Sequence, residues 1–422
     1  MAGRMVFINL VLCIWLACCT PAPPGRETAP PLPATTAGLE TNTRRHCLEI
    51  LEHVTELESR DMLVLDSRRM GVNNRFSDFD TYFMDMASGS RAQVTKPGEN
   101  LDDFSVSPDN RWIAYHYFLL DQKDNYLNNN LVVADSNNRI QKTFQWEDTW
   151  GPLNWLNAQH LMIQIIKPGK EGKEYSFLEL DPFTNEREYF KPDLPGMYDV
   201  VPRLNWDGWG LTAYDPSRTR VAYLQGEVSG PYHYVLWDLE QQEPVTGIQV
   251  IGQFHVVPRW SPDGETFAFA PSLYAVLEAY PHYEILGVDR EGTITQLTNL
   301  TDQYPWVYIS DLTWSPDGDS IAFWYSYWQD EKPGIYATGT RYLAVVDIAD
   351  GLVTDFCIPG EKDASMGVSK YPRPMWSPDG NQIVVQSQIT EDAFRTVLVD
   401  LRQERAFQIA EDLEPVGWLR SP

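Results

Sequence analysis

Basic residues are in short supply. Lysine and arginine number 33 against 59 aspartate and glutamate, a formal net charge of −26. Phosphate binding needs a basic footprint, so nucleic acid is not an expected partner. The surplus acid suits the solubility of an exposed protein. Cysteine is scarce too. Of five, Cys13, Cys18 and Cys19 lie in the first apolar stretch, and Cys47 and Cys357 alone lie in the body. Without a C-x-x-C there is no sign of a structural zinc site. The seven histidines are scattered, and there is no H-E-x-x-H, no G-x-S-x-G nucleophile elbow and no phosphate-cradling loop. His116 and His160 fall in alternating strands and read as satisfied strand histidines. Asp121, Asp124 and Asn125 lack the Gly spacing of a calcium loop. No catalytic, cofactor-binding or metal residue is nominated.

The apolar run VFINLVLCIWLA is too short for a comfortable membrane span. With Arg4 before it, residues 1–17 read as an export signal. It ends in WLACC, small residues followed by a cysteine that accepts lipid. Cys18, with Ala17 at −1, is preferred as the attachment point over Cys19, which has Leu16 at −3. Residues 18–45 are rich in proline and cannot bury a core, so they read as a disordered tether. Residues 46–59 carry Ile50, Val54 and Leu57 at helical spacing and read as a short helix or linker.

What is abundant is aromatic residue, 13% of the chain, and one repeated pentapeptide. Trp260-Ser261-Pro262-Asp263-Gly264 returns at Trp314–Gly318 and at Trp376–Gly380. Ser, Pro, Asp and Gly in that order make a tight turn, and an alternating strand follows each copy. Weaker copies begin at Ser107, Leu156 and Asp215, so the turn recurs every 46 to 62 residues. Asn110 replaces the glycine in one of them, the next residue to tolerate positive φ. Seven strands follow in register, each trailed by another strand that ends at Asp85, Asp135, Asp181, Asp238, Asp289, Asp347 or Asp400. Each aspartate is expected to accept backbone N–H groups from its own turn. A fourth strand completes each unit. The first unit lacks its first strand, and the last segment, Pro415–Leu419, is a first strand without followers.

These features predict an all-β chain. Residues 60–422 would form a seven-bladed β-propeller of four-stranded antiparallel blades, closed by pairing Pro415–Leu419 with Met62–Leu65; six blades is the alternative. Cys357 ends an outer strand of the sixth unit and Cys47 precedes the first. Those blades are not neighbours, which counts against a disulfide between them.

The WSPDG motif with its following strands resembles the TolB-like, WD-repeat-like propeller repeat of bacterial envelope proteins, over about Asp61 to Leu419. The resemblance implies the fold and makes the motif residues structural. The α/β domain that precedes the TolB propeller has no counterpart in this sequence, so a Pal-binding role is not implied.

In a four-stranded meander the short turns share one face and the long connections share the other. The long-loop face collects aromatics, and a ligand face is expected there: Trp150, Trp206, Trp209, Tyr304, Trp306, Tyr308, Tyr325, Trp328, Tyr371 and Arg373. The expected function is a non-enzymatic envelope lipoprotein, held at the membrane by lipid, whose propeller binds a protein or peptide. The alternatives are a cell-wall glycan binder and, further off, a polysaccharide lyase or hydrolase working in the funnel. No cofactor is called for.

Overall fold

In a computed structural model of the protein, the described residues are 43–52, 61–67, 80–96, 99–120, 126–147, 150–169, 172–191, 193–195, 212–226, 232–250, 258–271, 283–328, 339–362, 373–390 and 393–421. The signal, the lipid-accepting cysteines, most of the tether, and Trp206, Trp209 and Tyr371 lie outside them. The strands form seven sheets, each with a four-stranded antiparallel meander, and together they make a seven-bladed propeller. Six blades is thereby set aside.

Blade 1 takes both chain ends. Its order is Glu414–Leu419, Met62–Asp66, Thr81–Asp85, Arg91–Gln93, with Leu63 opposite Trp418 as expected. Blades 2 to 7 follow in chain order, with inner strands Glu99–Val106, Trp150–Trp155, Thr212–Tyr214, Arg259–Trp260, Trp306–Trp314 and Met375–Trp376. Alternation puts apolar side chains on both faces of the middle strands, so the core is a series of layers between blades. One layer joins Trp324 and Leu343 of blade 6 to Ile383 and Val385 of blade 7, and another joins Leu63 of blade 1 to Leu398 of blade 7.

The repeated turns show why this motif recurs. In the sixth blade Ser315 Oγ donates to Asp317 Oδ1 at 2.6 Å and accepts from Ser320 N at 3.0 Å, and Gly318 N closes the turn on Ser315 O at 3.0 Å. Gly264, Gly318 and Gly380 sit at φ +74, +81 and +72, and Asn110 takes the same place at φ 58. The tryptophan before each turn has a second duty. Trp155, Trp260, Trp314 and Trp376 donate their indole N–H to Ser105 O, Ala213 O, Arg259 O and Thr313 O of the preceding blade, at 3.0, 2.8, 2.9 and 3.1 Å. The motif is therefore a turn joined to an inter-blade staple. All seven strand-end aspartates accept N–H groups from their own turns, as expected.

Acid should weaken these turns. The Ser261 hydroxyl, 2.5 Å away, holds the Asp263 carboxyl below its usual value. Burial pushes Asp379 up, but hydrogen bonds from Ser377 and Asn381 outweigh it and hold it low. A carboxyl depressed in the folded state adds stability above the unfolded value of about 3.9, and that stability is lost as pH falls through the folded value. Denaturation midpoints from pH 6 to pH 2 should fall below about pH 4. Ser261→Ala should cost about 1 kcal/mol at neutral pH and flatten part of that fall. Identical acid limbs for variant and parent would remove this account of the turn.

The N-terminal arm departs from the reading above. Residues 18–45 were expected as a tether and 46–59 as a short helix or linker; their described part, residues 43–52, carries two short strands. Thr43–Arg45 pairs in parallel with the outer strand of blade 6, Val353–Lys362, and Ile50–Leu51 pairs in parallel with the outer strand of blade 7, Arg405–Glu411. The arm covers two open edges that would otherwise invite another strand. Between its two strands Cys47 forms a disulfide with Cys357, Cα–Cα 4.7 Å. Cys47 does precede the first blade, but it does not pack beside it. Cys47 instead lies on the arm, beside blade 6.

Candidate functional site

The inner strands of blades 2 to 7 converge on a cavity of about 410 Å³ in the central channel. That is within the usual size of ligand sites, roughly 300–1,000 Å³. One end reaches the short turns at Ser107, Pro216, Pro262 and Pro316. The lining also includes Pro258 and Arg373, just before the inner strands of blades 5 and 7. Half of the lining residues are Pro, Trp and Met, and Asn110, Asn154, Thr212 and Thr313 are among the polar ones.

Two cations face this cavity, Arg259 and Arg373. Arg259 precedes a motif tryptophan, where blades 6 and 7 carry Thr313 and Met375. Burial drives the Arg259 guanidinium well below its usual range, the charge of Arg373 lowers it further, and Asp311 opposes both. Burial likewise lowers Arg373, again against Asp311. Asp311 occupies a β-bulge between Ser310 and Thr313 at φ 54, and Asp103 holds the matching bulge of blade 2 at φ 51. The bulge re-aims the side chain off the strand's regular alternation. Asp311 is also 3.6 Å from the buried Arg341. Asp311 thus acts on all three guanidiniums.

The expected aromatic ligand face divides. Trp150, Tyr304, Tyr308 and Tyr325 are buried, not presented. Trp150 packs edge-on to Trp146 between blades 2 and 3, and Tyr308 packs edge-on to Tyr283 between blades 5 and 6. Tyr304 stacks on Tyr327 at 4.1 Å, with Tyr325 and Tyr342 beside it. This tyrosine group receives the arm: Arg45 donates to Tyr327 Oη at 2.7 Å and lies 3.3 Å from the buried Asp355. Burial raises the phenols of Tyr304 and Tyr325, which keeps them neutral. Trp306 and Trp328 are half-buried and face each other across the first two strands of blade 6. They are the part of the expected face that stays accessible, and Arg373 is the part that reaches the cavity.

Two elements escaped the sequence reading. The arm left only weak marks: Arg44 and Arg45 in an acidic chain, and one of the two body cysteines. Arg259 was visible as a long cation immediately before a motif tryptophan. His116 behaves as expected, hydrogen-bonded to Asn129 and stacked on Trp146 at 4.1 Å. Among the described residues no group of three or more His, Cys, Asp or Glu is placed to hold a metal ion.

No protein-family model matches the sequence, and no curated protein matches it. Solved structures do. TolB from Acinetobacter baumannii superposes with a TM-score of 0.42 at 14% identity, over 86% of this chain and 67% of that one. An oligogalacturonate lyase in complex with manganese gives 0.50 at 12% identity, over 78% and 84%. An oligogalacturonate lyase from Vibrio parahaemolyticus gives 0.48 at 12%, over 84% and 86%. At these identities the likeness is one of fold.

Proposed function

We propose that this protein is a non-enzymatic binding propeller of the cell envelope that receives a protein or peptide partner at its central channel. The observation that carries the reading is the convergence of six blades on one cavity, with rigid sheets holding each contributing residue. Trp306 and Trp328, on the long-loop side, supply accessible ring surface of the kind that anchors a partner. The Cys47–Cys357 disulfide supports export, because such bonds persist in oxidising compartments. Lipid on Cys18, or on Cys19, after removal of residues 1–17 would hold the propeller at the membrane through its Pro-rich tether. A diacylglyceryl-bearing cysteine at the start of the native mature peptide is the expected mass-spectrometric result.

Capture of the native protein from the envelope should bring a polypeptide partner with it. Trp306→Ala should weaken that complex by about 2 kcal/mol. Asp263→Ala, on the short-turn face, should alter stability and leave affinity unchanged. Normal binding by Trp306→Ala, with binding lost on substitution of Pro216, Pro262 or Pro316, would confine the partner to the cavity and exclude Trp306 as an anchor.

A second reading is a binder of acidic glycans. It is favoured by the facing Trp306 and Trp328 rings, and one fold neighbour carries the name oligogalacturonate lyase. A glycan array containing oligogalacturonates separates the two readings.

A further inference from the structure

We infer that Arg259 and Arg373 form a carboxylate-binding site inside the channel, and that the group they receive belongs to an acidic or carboxyl-terminal peptide segment. The inference rests on the channel reading proposed above and names its ligand chemistry. Two other partly buried arginines of the ring each meet a carboxylate. Arg290 lies 3.0 Å from Asp215, and Arg220 lies 2.9 Å from Asp238. Arg259 and Arg373 differ. Among the described residues neither guanidinium makes a hydrogen bond or an ion pair, and the carboxylate within their electrostatic reach, Asp311, already serves Arg341.

Two like charges held together in a walled cavity raise the energy of the empty protein, and an anion between them lowers it. A guanidinium offers a planar fork of N–H donors that matches a carboxylate in two-point contact. The surrounding walls favour a polypeptide over a sugar. Pro, Trp and Met make up half of their residues, and the indole N–H groups of Trp155, Trp260, Trp314 and Trp376 are already spent on backbone carbonyls. An extended chain can lay apolar side chains on the Pro, Trp and Met part of these walls and its carboxylate on the arginines.

The test is a fluorescence-anisotropy titration of the full chain with four labelled probes. These are tetraglutamate with an amidated C-terminus, tetraglutamine with a free C-terminus, tetraglutamine amidated, and trigalacturonate. At least one carboxylate-bearing peptide should bind 10-fold or more tighter than the neutral amide, and which one does so tells side-chain from terminal carboxylate. Arg259→Gln and Arg373→Gln should each weaken that peptide by about 10- to 100-fold. The corresponding Lys variants should fall between Gln and parent, since charge remains and the fork is lost. Without peptide, the Gln variants should melt at or above the parent temperature because the mutual repulsion is relieved. Equal binding of the neutral amide overturns the carboxylate site and leaves the peptide scaffold standing. Arginine-dependent binding of trigalacturonate with no binding of either acidic peptide overturns both and gives the channel to glycans. A lowered melting temperature with undiminished peptide affinity makes the arginines structural and overturns the site. Absence of binding by every probe at 1 mM overturns it as well; the scaffold reading is then decided by envelope capture.

Discussion

Removing residues 414–422 is expected to abolish cooperative folding. The deleted segment carries the inner strand of blade 1, Glu414–Leu419, which pairs with Met62–Asp66 over its whole length. Trp418 packs in the layer toward blade 7 with Leu63 and Leu65, and Leu419 packs in the layer toward blade 2 with Val64 and Ile113. Truncating a buried Trp costs about 3–5 kcal/mol and a buried Leu about 2–5 kcal/mol, against a total stability of about 5–15 kcal/mol. The deletion removes both and leaves a fully buried apolar strand as a bare edge, a template for aggregation. The chain should be found in the insoluble fraction, with no cooperative melting transition. Two point variants give graded forms of the result. Trp418→Ala should lower unfolding free energy by about 3–5 kcal/mol. A Cβ at Gly417 would lie 2.6 Å from Val106 Cγ2 of blade 2, so Gly417→Ala should cost about 1–3 kcal/mol by overpacking. A soluble deletion variant with an unchanged melting temperature would show that the ring does not depend on this closure.

That closure could be read from the sequence because its signals are local. A turn of Ser, Pro, Asp and Gly announces itself within four residues, and an aspartate ends each third strand for the sake of the turn that follows. Once seven such units stand in a row, a first strand without followers and a unit without a first strand have one way to combine. The arm had no comparable signal. Its strands are three and two residues long, too short for periodicity, and they lie parallel to partners more than 300 residues away. The candidate site was half legible for a related reason. An aromatic in a loop-proximal stretch packs between blades or faces solvent according to register, and register shifts at bulges such as the one between Ser310 and Thr313. Tyr304 and Tyr325 are buried beside Tyr327, the seat of the chain's own Arg45, while Trp306, two residues from Tyr304, stayed half-buried. Arg373 entered the expected face because Tyr371 stands beside it in the sequence. Arg259 was overlooked because a lone cation in a strand reads as a surface residue until the neighbouring inner strands are known.

Breaking the Cys47–Cys357 bond is expected to loosen the arm first and to lower global stability as well. The bond spans 310 of 422 residues, so it restricts most of the unfolded chain. A link over so long a loop carries a stabilisation of about 2–5 kcal/mol. The double variant Cys47→Ser, Cys357→Ser should show that loss as a shift of the denaturant midpoint at unchanged slope. The arm's remaining holds are modest. His46 N and Leu48 N bond to Asp355 O and Phe356 O at 2.7 and 3.2 Å, Leu48 and Ile50 pack half-buried on the layer between blades 6 and 7, and Arg45 meets Asp355. In the thiol-free variant the arm should therefore open locally, at a lower free energy than global unfolding. Limited proteolysis should cut after Arg44 or Arg45 long before it enters the blades. Arg45→Ala should add about 1 kcal/mol to the cost of arm opening in the thiol-free variant, and less in the disulfide-bonded protein, where the covalent link holds the arm whatever its ion pair does. Equal protease resistance of the bonded and thiol-free forms would mean that strand pairing alone fixes the arm, and that the disulfide acts through the unfolded chain and nowhere else.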